Sequence, residues 1–314
     1  MLIEEIFKRD EWYEASSTAI KTNISQDWDY GQFREKTSDI QARRFKIVNQ
    51  NSIVAVFQTF EKKIKFLPFI KIVYLNRGPL ILDDSVCFTV ILKLISKNFS
   101  ILKGCFFIVN PFKSLRNNII SDLKKSYFLG LKPNIYETSY IDLKESEELL
   151  RSNLHSKWRN QLVKSEKNSV TIDFDDTETH VDFILKSYDE MVQNKQFFAL
   201  SSNELKVLFD IFVKYKKVFF LIAFDKDQNI IGYTIILTFF NSAVYFIGWS
   251  NNEGRKLNVS NLLLWNSIVY LKNLNYKEFD LGGYDSKNLP GVASFKKRIG
   301  GNEELYTERW IKLF

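Results

Sequence analysis

The chain has 314 residues, enough for one large or two medium domains with a real core. It is 45% hydrophobic and 26% charged, which excludes a disordered or fibrous chain and fits an ordinary folded one. A formal charge of +7 and a pI of about 9.1 favour polyanionic partners such as RNA, nucleotide phosphates or an anionic membrane face.

Residues 4–19 have helical spacing, and 23–31 form a polar and aromatic turn. Strands are expected at 44–48 and 53–60, a hairpin across the turn cluster 49–52, and at 70–75, ended by Asn76-Arg77-Gly78-Pro79. A helix over 84–98, a buried strand over 105–109 closing at Asn110-Pro111, a helix over 114–127 and a strand over 136–143 complete the first half. The second half repeats that order: helices at 183–193 and 202–215, strands at 218–224, 230–240 and 244–249, a helix at 260–274 and a strand at 277–281. Residues 44–60 align with 218–240, 73–78 with 244–249 and 105–111 with 278–284, so an internal duplication of about 120 residues is expected. Each copy is α/β in order, with a mixed sheet. The expected division is 1–145 and 146–314, with the last strand able to pack back on the first domain.

The strand at 277–281 delivers the most informative stretch, Asp280-Leu281-Gly282-Gly283-Tyr284-Asp285, followed by a loop with Pro290 and the basic segment 291–301. Glycines just after a strand let backbone amides approach a ligand, and Lys296, Lys297 and Arg298 bring positive charge near them. A turn with solvated charges is the plain alternative. Helix 155–167 should pack Leu154, Trp158, Leu162 and Ser165 inward and present Lys157 and Lys164, with Arg159 to one side. Such a stripe suits a phosphate backbone or is simply a solvated face.

With His155 and His180 as its only histidines, the chain has no histidine-rich metal site, and neither stands in a nucleophile context. No metal is expected. Cys87 and Cys105 lie in apolar surroundings and read as buried thiols of a reducing compartment. The N-terminus lacks the regions of a signal peptide, and the longest apolar run, 230–240, is too short for a spanning helix. The expected location is cytoplasmic, at most peripheral to the inner membrane face.

Three stretches in order resemble the FemABX family of peptidyl transferases: the basic helix 154–167, the turn Arg77-Gly78-Pro79, and Asp280-Leu281-Gly282-Gly283 leading to Phe295-Lys296 with Gly300-Gly301 behind it. The resemblance implies two tandem GNAT-like domains, each a largely antiparallel mixed sheet flanked by helices. It implies transfer of an aminoacyl group from aminoacyl-tRNA to an amine on a peptidoglycan or related cell-envelope precursor, with the charged tRNA as co-substrate and no other cofactor. By the same resemblance Lys296 would stabilise charge on the acyl carbonyl, Phe295 would shape the wall of the site, and Arg34 would meet precursor phosphates. Arg77, Tyr245, Gly282, Gly283 and Tyr284 are further substrate-binding candidates, and Lys157, Arg159, Lys164, Lys297 and Arg298 are the candidates for tRNA or phosphate.

That chemistry needs a neutral amine, although a lysine-type amine titrates near ~10.4. It also needs an oxyanion donor, worth ~3–4 kcal/mol when well placed. Asp280 or Asp285 would serve as proton acceptor or hold the amine, with turn chemistry as the alternative for either. Three features depart from the family pattern. No arginine stands at 196–200, Asn110 replaces an aspartate of some members, and 173–201 leaves no room for a long helical hairpin. The rival function is an acyl-CoA-dependent N-acyltransferase acting on an amino sugar or other glycan precursor. Residues 255–260 lack the glycines a pyrophosphate loop needs, which disfavours it. A third reading is a non-catalytic scaffold binding RNA or a membrane face.

Overall fold

The computed structural model describes residues 1–111, 119–131, 137–195, 199–305 and 309–313. Two compact units emerge, Met1–Tyr136 with Leu305–Phe314, and Glu137–Glu304. In the first, strand β1 (Leu2–Ile6) precedes helix α1 (Arg9–Ser16), where helical spacing predicted a single helix over 4–19. The correction rests on pairing: residues 2–6 form an antiparallel ladder with 44–48 of β2 at the sheet edge, with Ile3 against the core and Ile6 buried. Helix α2 (Trp28–Thr37) starts at Asp27, whose carboxylate accepts from the Asp29 and Tyr30 amides.

Strands β2 (Gln41–Asn49), β3 (Ser52–Ile64), β4 (Leu67–Asn76) and β5 (Leu80–Ile81) follow, then helix α3 (Phe88–Asn98), strand β6 (Cys105–Asn110), helix α4 (Ile119–Lys125) and strand β7 (Phe128–Gly130). The expected helix over 114–127 is α4 among the described residues, and 114–118 lie outside them. Helix α3 lays Phe88, Ile91, Leu92 and Ile95 against Phe45, Phe57 and Phe107 of the sheet. Cys105 is buried there, but Cys87, expected to be buried, is exposed at the start of α3.

The second unit begins with strand β8 (Glu137–Asp142), helices α5 (Glu147–Asn153) and α6 (Ser156–Glu166), and strand β9 (Thr171–Asp175). Helices α7 (Val181–Lys195) and α8 (Ser202–Lys214) lead to strands β10 (Val218–Phe224), β11 (Ile230–Phe239) and β12 (Ser242–Ser250). Helices α9 (Asn252–Lys256) and α10 (Val259–Asn273), strand β13 (Glu278–Asp280), helix α11 (Pro290–Lys297) and strand β14 (Asn302–Leu305) complete it. Its core joins Trp158 and Leu162 of α6 to Leu263 and Trp265 of α10 and to Leu221, Ile236 and Phe279 of the sheet.

Strand β15 (Trp310–Lys312) belongs to the first sheet, which runs β1-β2-β3-β4-β6-β15-β7 with β5 on β3. The second runs β14-β8-β13-β12-β11-β10-β9. Read in opposite directions the orders coincide: four antiparallel strands, a parallel partner (β6 or β13), then an antiparallel strand (β15 or β8). The three segment pairs aligned in the sequence are the topologically equivalent strands. The division falls at 136/137 rather than 145/146, because β8 hydrogen-bonds to β13.

Candidate active site

The site is made where β13 stops. β12 and β13 are parallel but pair at three positions only, Ser242 with Glu278, Ala243 with Phe279 and Val244 with Asp280. Beyond Asp280 the chain keeps to β8: the Leu281 amide donates to Ser139 O and the Tyr284 amide to Glu137 O, each at 2.9 Å. β12 instead follows β11 to Ser250, with a bulge at Phe246 between Tyr245 and Ile247. The parallel pair therefore forks.

Gly282 allows the departure. Its φ of +71° is left-handed, and a Cβ there would lie 2.6 Å from the Tyr245 carbonyl oxygen. Asp280, buried at the strand end, shapes the turn by accepting from the Gly282 amide at 2.9 Å and the Thr138 hydroxyl at 2.5 Å, both at Oδ1. Helix α11 starts at Pro290, a residue whose fixed φ suits the first helical turn. It buries Ala293 and Lys296.

Lys296 enters the fork. Its Nζ donates to the carbonyls of Gly282 and Gly283, each at 3.2 Å, and lies 5.2 Å from the centre of the Tyr245 ring. The residue is 7% exposed. Burial pushes its ammonium down to about 8, and the charge of Asp280 opposes that fall. Near neutral pH most of it stays protonated. An ammonium has three donors, so two carbonyls leave one for a developing oxyanion. Burial also raises the Tyr245 hydroxyl to about 12, which keeps it neutral. Gly248 leaves the space that hydroxyl occupies.

Other expected site residues have different surroundings. The Phe295 ring packs 5.9 Å from that of Trp158, fastening α11 to α6. Asp285 holds its own turn, accepting from the Lys287 and Asn288 amides and the Asn288 side chain, contacts that keep it below the usual carboxylate range. The Tyr284 hydroxyl is buried beside Ser139 Oγ at 3.0 Å. Lys297 is paired with Glu137 at 2.6 Å and Glu303 at 3.2 Å, which raises its pKa. The Arg298 carbonyl accepts from the His155 amide at the start of α6.

On α6 the inward stripe is as expected, with Leu154, Trp158, Leu162 and Ser165 buried. Lys157 and Lys164 are exposed, and Arg159 is half-buried. His155 caps the helix, its Nδ1 accepting from the Lys157 amide at 3.2 Å. In the first unit, Arg34 is half-buried with its guanidinium 6.0 Å from the Phe60 ring centre. Arg77 is buried and donates to Asn110 Oδ1 at 3.0 Å. Of the stretch 196–200, residues 196–198 lie outside the described residues.

Sequence reasoning missed the part of β8 in this site. Thr138 and Ser139 are fully buried, and Thr138 holds Asp280. Two adjacent small hydroxyl residues inside a predicted strand were the available signal.

No protein-family profile matches the chain, and no curated protein sequence matches it. Solved structures do. The architecture is a tandem GNAT-type fold. A tandem GNAT protein from the clavulanic acid biosynthesis pathway is similar over 99% of this chain and 97% of its own, with TM-score 0.57 and 10% identity. The C-terminal domain of a candidate lysylphosphatidylglycerol synthetase from Agrobacterium fabrum matches over 98% and 92%, with TM-score 0.60 and 12% identity. Within that class the chain has the FemABX fold: FemX superposes over 100% of this chain and 98% of its own, with TM-score 0.84 and 12% identity. At such identities the likeness is one of fold.

Proposed function

We propose that the protein is an aminoacyltransferase forming an amide on an amine acceptor, with aminoacyl-tRNA as donor and a peptidoglycan or related envelope precursor as acceptor. The observation that carries this reading is the buried, protonated Lys296 in the fork of β12 and β13, between two glycine carbonyls and the Tyr245 ring. The acceptor amine attacks the ester carbonyl, the carbonyl electron pair moves to oxygen, and the remaining Lys296 N–H donates to that oxyanion. Collapse breaks the ester C–O bond, the tRNA terminal oxygen leaves and takes up a proton, and the amine nitrogen loses one. Asp280 acts on Lys296 by favouring its charged form. Lys157 and Lys164 supply salt-sensitive contacts to tRNA phosphates.

The test supplies the purified protein with charged tRNA or acyl-CoA and a panel of cell-wall and sugar-nucleotide amines. Product is expected from charged tRNA and not from acyl-CoA, and Lys296→Ala should lower its rate about 100- to 1,000-fold. Product from acyl-CoA alone would replace the donor, and equal turnover by Lys296→Ala would remove the mechanism.

A further inference from the structure

The β3–β4 hairpin outruns its sheet. β2 follows β3 no further than the pair Gln41–Glu61, and β6 meets β4 only from Lys71 onward. Residues 62–64 of β3 therefore have only β4 as a strand neighbour, through Lys62–Ile72, Lys63–Lys71 and Ile64–Leu67, around a turn at Lys65 and Phe66. At this tip Phe66 is 87% and Phe69 72% exposed. The 3₁₀ turn Ile101–Lys103 lies alongside, because Gly104 sits against the Phe69 carbonyl and its own oxygen accepts from the Lys71 amide at 2.8 Å. Leu102 on that turn is 95% exposed.

Large apolar side chains this bare are unremarkable when scattered, but here they gather at one end of one sheet. Their surroundings are cationic. Segments 61–71 and 97–104 hold six lysines (Lys62, Lys63, Lys65, Lys71, Lys97, Lys103) against a single carboxylate, Glu61. Glu61 is buried and already paired with Lys71 at 2.5 Å and Arg43 at 3.5 Å. These two segments thus offer bare aromatic and leucine side chains, a rim of lysines and no exposed acid of their own.

We infer that this tip docks the protein on an anionic membrane surface. The Phe66, Phe69 and Leu102 side chains enter the boundary between headgroups and acyl chains, and the lysines meet headgroup phosphates with their stems lying along the apolar zone. A narrow protruding hairpin suits insertion, whereas a protein partner of matching charge would need a groove lined with carboxylates to receive it. The attachment is interfacial: among the described residues no helix is long and apolar enough to cross a membrane. The inference stands apart from the Lys296 chemistry.

Vesicle flotation of the full chain tests it, with phosphatidylcholine alone and with phosphatidylcholine mixed with phosphatidylglycerol. Binding is expected only to the mixed vesicles and should weaken as salt rises. Each of Phe66→Ser, Phe69→Ser and Leu102→Ser should lower binding about tenfold. Lys62→Glu with Lys65→Glu should lower it as well. All of these positions are exposed, so circular dichroism and melting should match the parent. Failure of the parent to float, or equal flotation of the triple serine variant, overturns the proposal. So does a parent dimer that the triple variant dissociates without any vesicle binding, which would make the tip a contact between copies.

Discussion

In the first sheet the parallel pair β4 and β6 stays together over six positions, from Lys71–Cys105 to Asn76–Asn110. Arg77 then closes the junction, its amide donating to Asn110 O at 2.8 Å and its guanidinium to Asn110 Oδ1 at 3.0 Å. In the second sheet the equivalent pair, β12 and β13, parts after three positions and Lys296 fills the gap. Both sheets have the same strand order, so order alone makes no site. A left-handed glycine that turns the chain aside, and a helix that delivers a cation there, separate an open junction from a sealed one.

The first way to break the comparison is to empty the open junction. Lys296→Ala should cut turnover about 100- to 1,000-fold, the loss seen for one oxyanion donor, with the far-ultraviolet spectrum unchanged. The same position sharpens it through stability. The lysine titrates at 10.5 in a model peptide and about 8 when folded, so between those values the unfolded chain binds more protons and stability rises with pH. Below about 8 both states are charged and the burial cost is constant. Lys296→Met should therefore gain up to about 3 kcal/mol in urea melts near pH 7 and flatten the rise between pH 8 and 10.5. A parent rate that climbs through pH 8 with no falling limb would mean the neutral amine is the active form.

A smaller effect is expected from the sealed unit. Asp29 is fully buried, gripped by Arg9 through two bonds of 2.8 Å and by the Tyr13 hydroxyl at 3.1 Å. Arg9→Ala should cost roughly 2 kcal/mol, below the usual range for a buried pair because Arg9 is partly exposed, and should leave turnover per folded molecule unchanged. A drop in turnover without a drop in stability would give the first unit a catalytic part. The smallest effect belongs to α6. Lys157→Ala or Lys164→Ala should each weaken tRNA binding a few-fold and shallow its salt slope by about one counterion. Unchanged binding in both would return these lysines to a solvated face.

The strand order and the inward stripe of α6 were legible because periodicity reports burial. Trp158 and Leu162 recur at the spacing that faces a core, and 218–240 reads as two apolar strands about a turn. Lys296 was reached through the Asp-Leu-Gly-Gly resemblance, since nothing in its neighbours distinguishes it from Lys297. The structure separates them by direction on the helix: one points into an apolar fork, the other onto Glu137 and Glu303. Helix α11 was missed because Pro290 was taken for a loop residue, although proline suits a first helical turn. β1 was missed because its acid and apolar alternation ran directly into a helical repeat. The Arg9, Tyr13 and Asp29 cluster could not be read, because its members meet only after the chain folds back.

The place of β15 bears on synthesis. Strand β7 joins the first sheet through β15, and β15 is residues 310–312. A ribosome must therefore pass residue 312 before that sheet can be completed, and until then the edge of β6 is an open template for stray strands. Loss of residues 310–312 would therefore damage the unit that is made first.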